Sequence, residues 1–181
     1  LSHNVAERIR QQLAEVSRFD QQNKRQAPPL PYSLSSLQVD AAKALAMPAQ
    51  LVLVTCQSLY EKHQLITYPR SDCRYLPVAH WQDRQSLRTA IATVCPELAA
   101  ACKDADWQLR SAAWNDAKVG AHHAIIPTQK ALSGQRLSNN EQRLYRLIAR
   151  QYLMQFYPAW QYQQRRVELI IAGGRFTASG C

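Results

Sequence analysis

The sequence predicts a mixed α+β fold that is mainly α, with short β elements confined to the two ends. Capped, amphipathic helix patterns fill the middle of the 181-residue chain, whereas β-branched residues around Gly173-Gly174 indicate strands near its C-terminal end. Three prolines between residues 28 and 31 interrupt the chain, and we place a domain boundary there. We expect residues 28–157 to close their own core and segments 1–27 and 158–181 to be pieces of a neighbouring domain.

The N-terminal segment predicts one short helix and one element that is either a strand or a linker. Val5, Ile9 and Leu13 stand at four-residue intervals, which predicts an amphipathic helix over residues 3–14. Residues 15–27 are polar and fit either an exposed strand or a linker. The chain starts Leu-Ser-His-Asn without a signal-peptide pattern or an initiating Met, and we expect it to be an excised piece of a longer protein.

Helices are predicted after the proline boundary. Ser33 or Ser35 can cap a helix that ends before Pro48. Residues 50–62 begin with β-branched residues typical of a strand, but their length and their Leu-Tyr-Glu-Lys end favour a helix, which we prefer. The remaining elements of this part are a loop over 64–78, a helix over 80–94 and a short helix over 97–103.

A long helix and two strands complete the prediction. Ser138 and Glu141 form a capping box, and the helix that they open is stopped by Pro158. The stretch RRVELIIAGGRFTAS, residues 165–179, then predicts two strands joined at the glycine pair. The helix carries one apolar stripe, formed by Leu144, Ile148, Tyr152 and Phe156.

Composition favours an anionic partner. Lys and Arg number 22 against 13 Asp and Glu, a net charge of +9, and nucleic acid is the commonest partner of such a chain. No apolar run is long enough to span a membrane. The five cysteines are odd in number and none has the spacing of a zinc knuckle, so we expect reduced thiols in a cytosolic protein and no structural zinc.

The stretch ITYPRSD, residues 66–72, holds the most informative chemistry. Tyrosine in general is a poor nucleophile at neutral pH, because a free phenol side chain has a pKa of about 10, but a nearby cation can stabilise the phenolate of Tyr68. Arg70 can supply that charge and hold a phosphate oxygen. Pro69 stiffens the loop and biases Tyr68 towards extended backbone. Asp72 can orient Arg70, and Ser71 can donate to a phosphate. A loop tyrosine packed on the edge of a core is the alternative.

A second stretch, AHHAIIPT over residues 121–128, carries adjacent histidines that cannot share a face. One of them can reach the loop, where a histidine beside a phosphate carries charge or moves a proton near neutral pH. Zinc binding competes with this interpretation, but no cysteine or carboxylate stands at ligand spacing. Two hydrogen-bonded structural histidines are the other alternative.

Taken together, the motifs resemble those of type IA DNA topoisomerases, most closely the bacterial topoisomerase III branch. The resemblance spans about Leu30 to Gly180, and the spacing of the motifs carries it. They are PLPYSLSSLQ (29–38), CQSLYEKHQLITYPRSD (56–72), AHHAIIPT (121–128) and LYRLIARQYLMQF (144–156).

The resemblance implies single-strand DNA cleavage and religation without ATP, through a 5′-phosphotyrosine intermediate. Tyr68 corresponds to the nucleophile, Arg70 to the cation that stabilises the transferred phosphate, His122 to the catalytic-site histidine and Asp72 to an acidic position that organises nearby phosphates. It also implies a helix-turn-helix-like core, flanking pieces of a β-rich arch domain, and a cytoplasmic, nucleoid-associated protein.

The family's Mg²⁺ is held by an Asp-x-Asp-x-Glu cluster in a domain that we do not find here. Asp104 and Asp106 lack the third carboxylate, so we expect no metal in this chain and little cleavage by the chain alone. Its implied partners are single-stranded DNA and the metal-binding and arch domains of the parent chain.

Further DNA contacts are predicted at Lys62, Arg74, Lys118 and Ser36, the last at a helix N-terminus that can seat a phosphate although capping alone explains it. Two other classes remain beside the enzyme: a non-catalytic DNA-binding module, and an interaction domain whose charge is incidental.

Overall fold

The computed structural model describes residues 3–10, 12–132 and 136–181. The chain divides into two compact units: Pro28–Pro158 forms the larger one, and the segments on either side of it form the smaller one. Whether the smaller unit is part of an arch domain stays a prediction.

The smaller unit is a three-stranded antiparallel sheet in the order β1-β2-β3, formed by β1 (Glu15–Gln26), β2 (Trp160–Ile171) and β3 (Gly174–Gly180). Residues 15–26 are therefore a strand and not a linker. Strand β2 begins before the predicted 165, because its first residues pair with the end of β1. Ala172 and Gly173 both have positive φ, 49° and 78°, as a tight turn between antiparallel strands requires.

The N-terminal helix is shorter than predicted. Helix α1 covers His3–Ile9, and Leu13, which was expected on its apolar face, is 95% exposed. With only two turns, the helix lacks the length to be stable without a packed face. Gln11, inside the predicted span, lies outside the described residues.

The larger unit is helical. Its α-helices and the π-helix have the predicted positions, with short 3₁₀ segments at several ends. They are α2 (Leu34–Leu45), α3 (Ala49–Gln57) continued by a π-helix (Ser58–Lys62), α4 (Arg84–Val94), α5 (Ala99–Asp104) and α6 (Asn139–Leu153), with 3₁₀ segments at Val78–Asp83, Pro96–Leu98, Asp116–Lys118 and Met154–Phe156.

Helices α2 and α3 form a helix-turn-helix-like pair. Helix α2 ends at Ala46, whose φ of 54° is left-handed, and Pro48 precedes the first turn of α3. The pair is bent by 112°, within the usual range for this motif. In the described part of the chain, no single helix is long and apolar enough to cross a membrane. The bent α2–α3 pair reaches that length and apolar composition only when its two helices are counted together.

The core of the larger unit is built on α6 and on three aromatic contacts around Phe156. The whole predicted stripe is buried, with no member more than 1% exposed: Leu144, Ile148, Tyr152 and Phe156. Trp107 lies 4.2 Å from Phe156 between ring centroids, and Trp114 lies 5.3 Å from it. Each such burial contributes roughly 1.5–3 kcal/mol, so this stripe anchors the unit.

Glu141 at the start of α6 joins two distant parts of the larger unit. Its Oε2 accepts from the Ser138 amide at 2.7 Å, which completes the predicted capping box. Its Oε1 accepts from Ser58 Oγ at 2.6 Å and lies 3.2 Å from His63 Nε2. Burial raises the pKa of Glu141, but the hydrogen bonds from Ser58 and Ser138 and the nearby His63 outweigh it and hold the pKa at about 2.

We predict that Glu141→Gln destabilises the larger unit by roughly 2–3 kcal/mol at neutral pH, because an ionised, multiply bonded acceptor is lost. A depressed folded-state pKa stabilises the fold above the ordinary Glu value. That contribution should therefore decrease as the pH falls below 4.5 and disappear near pH 2. Near-UV circular dichroism during urea titrations at several pH values measures it. The exposed Glu61→Gln is the control, and equal acid profiles for Glu141→Gln and the parent chain would contradict the assignment.

Candidate active site

Two distant loop segments are paired, and this pairing forms the site. Ile66 and Pro127 form an isolated antiparallel bridge. The Thr67 amide donates to the Ile126 carbonyl oxygen at 2.9 Å, and the Thr128 amide donates to the Leu65 carbonyl oxygen at 2.9 Å. The two motifs found in the sequence are thus held side by side.

The side chain of Thr67 strengthens this pairing. Its Oγ1 donates to the Ala124 carbonyl oxygen at 3.0 Å and accepts from the Ile126 amide at 3.0 Å. One hydroxyl therefore satisfies two backbone groups of the opposite segment. Tyr68 is the residue after Thr67, so the pairing also fixes the position of the Tyr68 backbone.

The pairing brings Tyr68 and His122 together. Their rings are stacked, with 4.2 Å between centroids and 28° between planes. Tyr68 is half-buried, whereas His122 is exposed. Tyr68 also contacts Tyr60 of the π-helix, with 5.9 Å between ring centroids and 84° between ring planes. The phenol ring is thus in contact with two other rings.

The turn after Tyr68 exposes two charged side chains and buries their neighbours. Arg70 and Asp72 are exposed, whereas Pro69 and Ser71 are buried. The Ser71 carbonyl accepts from the Leu34 amide at 2.8 Å, which ties the turn to the start of α2. Ser71 Oγ accepts from the Cys73 amide at 3.1 Å. This geometry makes Ser71 a support of the loop, because its hydroxyl does not reach the surface.

The predicted DNA contacts differ in how available they are. Arg74 Nε and Nη2 donate to the carbonyls of residues 31 and 30 at 3.0 and 2.9 Å, so this guanidinium ties the chain together. Ser36 Oγ accepts from the Ser33 amide at 3.0 Å as part of the cap of α2.

The two predicted lysine contacts lie at the surface. Lys62 is exposed. Lys118 Nζ is also exposed and donates to Tyr75 Oη at 3.2 Å. Both lysine side chains therefore lie at the surface, and their contact with DNA stays a prediction.

His123, the second histidine of the pair, packs against a different ring from His122. Its ring packs perpendicular to that of His80 at 4.8 Å between centroids. His123 Nδ1 donates to the Ala124 carbonyl oxygen at 2.8 Å. Burial lowers the pKa of His123, and the nearby His80 and His122 lower it further. His123 therefore packs against His80, and His122 is the histidine that stacks on the tyrosine.

Sequence analysis missed the residues that assemble this site. Tyr60 was placed only in a predicted helix, and Thr67 was given no role. The bonds from Ser58 and His63 to Glu141 span 83 and 78 positions. Glu141 itself was found as a cap, but no local pattern in one sequence signals such a distant bond.

Among the described residues, no group of three or more His, Cys, Asp or Glu side chains is placed to hold a metal ion. Asp104 ends α5, and Asp106 accepts from the Gln108 amide at 3.0 Å. These carboxylates do not provide a set of ligands for Mg²⁺, so no step of the chemistry is assigned to a metal on this chain.

Comparison with known proteins identifies the family. The sequence profile of the family described as DNA topoisomerase matches residues 2–181. The chain belongs to this DNA topoisomerase family. The prediction of a type IA, topoisomerase III-like family is confirmed by the relatives as well. The chain is 57% identical to DNA topoisomerase 3 of Vibrio cholerae over 180 residues and 50% identical to DNA topoisomerase 3 of Haemophilus influenzae over 178.

The topoisomerase relatives are much longer than this chain. The matches cover 99% and 98% of the chain but only 28% and 27% of the two relatives. A solved full-length topoisomerase I from Thermotoga maritima has a TM-score of 0.67 and 24% identity, covering 99% of this chain and 29% of that one. This similarity confirms the α+β fold.

We predict that Thr67→Val loosens the pairing without removing it. The Ile126 amide loses its acceptor, and its hydrogen exchange should accelerate by roughly 10-fold or more, corresponding to about 1–2 kcal/mol. Amide exchange followed by NMR measures it. Thr128→Val is the matched control, because it removes a hydroxyl bonded to the Gln64 carbonyl and leaves the Ile126 amide bonded. Unchanged exchange at Ile126 in Thr67→Val would show that Thr67 does not hold the segments.

Proposed function

We propose that this chain is the tyrosine-bearing part of a DNA topoisomerase and that Tyr68 forms the covalent bond to DNA. One observation carries the proposal: Tyr68 is stacked on His122 at 4.2 Å, on a turn that also exposes Arg70. A nucleophile, a titratable ring and a permanent cation are therefore grouped at one surface, as phosphoryl transfer to a protein side chain requires.

The proposed step is a transesterification. Tyr68 Oη attacks the phosphorus of a DNA phosphodiester, a tyrosine O–P bond forms and the P–O3′ bond breaks. The DNA 5′ phosphate is then bound to Tyr68, and the free 3′ oxygen takes up a proton while the phenol loses one. The number of phosphoester bonds is unchanged. Religation is the reverse attack by the 3′ hydroxyl, so no ATP is consumed.

The side chains around Tyr68 take distinct roles in this proposal. Arg70 stabilises the negative charge on the non-bridging oxygens of the transferred phosphate, since its fork geometry suits two of them. His122 carries charge or moves a proton beside the phenol. Asp72, exposed two residues beyond Arg70, orients that guanidinium and the nearby phosphates. Lys62 and Lys118 add contacts to the DNA backbone.

The substrate and the surroundings follow from the same proposal. Single-stranded DNA is the substrate because the site is an open surface with a chain charge of +9. Domains beyond this chain supply the Mg²⁺ site and the remainder of the arch, so the chain alone cleaves DNA poorly. The protein works in the cytoplasm at the nucleoid, where its substrate lies.

We predict that Tyr68→Phe abolishes the covalent adduct. The test places this chain in Vibrio cholerae DNA topoisomerase 3, in exchange for the matching segment, and adds Mg²⁺ and a labelled single-stranded oligonucleotide. After rapid denaturation, the modified residue is mapped by mass spectrometry. The unsubstituted chimera should give an adduct on Tyr68. Tyr162→Phe, in the sheet, is the control and should retain the adduct.

Two results would overturn the proposal. An adduct that persists in Tyr68→Phe would assign the nucleophile elsewhere. Salt-sensitive oligonucleotide binding, with no adduct in a chimera whose Vibrio cholerae parent forms one under the same conditions, would favour the DNA-binding module.

We predict that His122→Phe and His122→Ala both reduce adduct formation by about 10²-fold, because both remove the group that carries charge or moves a proton. His122→Phe keeps a flat ring against Tyr68, whereas His122→Ala removes it. Single-turnover cleavage in the same chimera measures both. Near-normal rates in His122→Phe would instead assign His122 to ring packing alone.

A further inference from the structure

Tyr60 is the third ring of the candidate site, and its position is unusual. Its ring lies 5.9 Å from that of Tyr68 and nearly perpendicular to it, while 39% of the residue remains exposed. A tyrosine with this much exposure is not required by the core, whose neighbouring residue Leu59 is fully buried. Its specific contact is with the proposed nucleophile.

The backbone that presents Tyr60 is a π-helix, Ser58–Lys62, at the end of α3. The His63 amide donates to the Ser58 carbonyl at 3.2 Å, a bond between positions five apart. π-helical turns are rare, are less favourable than α-helical ones and are frequent at functional sites. The wider turn changes the direction of the side chains that it carries relative to a continued α-helix.

One carboxylate holds both ends of this turn. Glu141 Oε1 accepts from Ser58 Oγ at 2.6 Å and lies 3.2 Å from His63 Nε2. The side chains of His63 and Glu141 are only 3% and 11% exposed, so these contacts are largely shielded from water. The π-turn is thus bonded to α6 at its first residue, Ser58, and at His63, the residue that follows its last.

We propose that Tyr60 is a positioning residue for the nucleophile. The π-turn, bound to Glu141, places the Tyr60 ring in contact with Tyr68, and the contacts with Tyr60 and His122 together restrict the phenol. This inference rests on the proposed function of Tyr68. A phenol restricted by a perpendicular ring on one contact and a stacked ring on the other samples fewer side-chain rotamers. Oη is then directed along one line of attack before the phosphate arrives.

The first test uses the chain itself. With ¹³C-labelled tyrosine, wild type should show nuclear Overhauser contacts between the Tyr60 and Tyr68 rings, and Tyr60→Leu should shift the Tyr68 ring resonances through loss of the ring current. Tyr60→Phe should keep the Tyr68 shifts, because the Tyr60 hydroxyl has no part in the contact. Tyr162→Leu, a half-buried tyrosine stacked on Trp160 in the sheet, is the matched control and should leave the Tyr68 resonances unchanged.

The second test measures cleavage in the Vibrio cholerae chimera. Tyr60→Leu should lower the single-turnover rate of adduct formation at saturating oligonucleotide by roughly 3- to 10-fold, the range expected for one perpendicular aromatic contact. Tyr60→Phe should stay within about twofold of the parent rate. Oligonucleotide affinity should be the same in all three, because the ring acts on Tyr68 and not on DNA.

The outcomes separate the alternatives. A slower rate with unchanged affinity and a shifted Tyr68 resonance supports positioning. Weaker binding with an unchanged saturating rate overturns it and makes Tyr60 a base-stacking contact. Unchanged rate and affinity in a folded Tyr60→Leu also overturn it. If Tyr68→Phe still forms adducts, the proposed function fails, whereas loss of the adduct there together with a normal Tyr60→Leu rejects this inference alone.

Discussion

The candidate site depends on the pairing of residues 65–67 with 124–128. Neither segment belongs to a helix or a named strand, and each is held by backbone hydrogen bonds to the other and by the hydroxyl of Thr67. Because buried backbone groups must find partners, the two loops have one favourable register. In that register Tyr68 and His122 meet face to face, although 54 positions separate them in the sequence. The contact between these two rings is thus a consequence of satisfying the backbone.

A second constraint comes from α6. Its stripe fills the core, and its first turn holds Glu141, which serves both as a cap and as the acceptor for Ser58 and His63. A buried carboxylate is unfavourable unless its hydrogen bonds are made, and here the bonds come from a helix terminus and from the π-turn. The packing of the core and the shape of the site are therefore linked through a single side chain.

The sequence predicted well what depends on local patterns. The caps at Ser33 and Ser138, the stripe of α6 and the two C-terminal strands are local periodicities and spacings, and the structure confirms them. The helix over residues 3–14 was overextended, since periodicity alone cannot show that Leu13 has nothing to pack against. The proposed roles of Tyr68 and His122 came from the resemblance to type IA topoisomerases, which the spacing of the motifs carried. Tyr60 and the bonds to Glu141 could not be found, because they join residues whose proximity only the fold decides.

The division between buried and exposed residues explains how the fold can hold this loop while some of its side chains stay exposed. The bonds that hold it are made by its backbone, by Ser71 and Thr67, and by Arg74, whose guanidinium is occupied by two carbonyls. Within the described residues, Arg70 makes none of these supporting bonds and remains exposed on the same turn as Tyr68. A guanidinium already paired inside the protein would have to give up that pairing to meet a phosphate. In the proposed reaction, the exposed Arg70 guanidinium, which Asp72 orients, can meet the charge that develops on the phosphate without breaking the bonds that hold the loop.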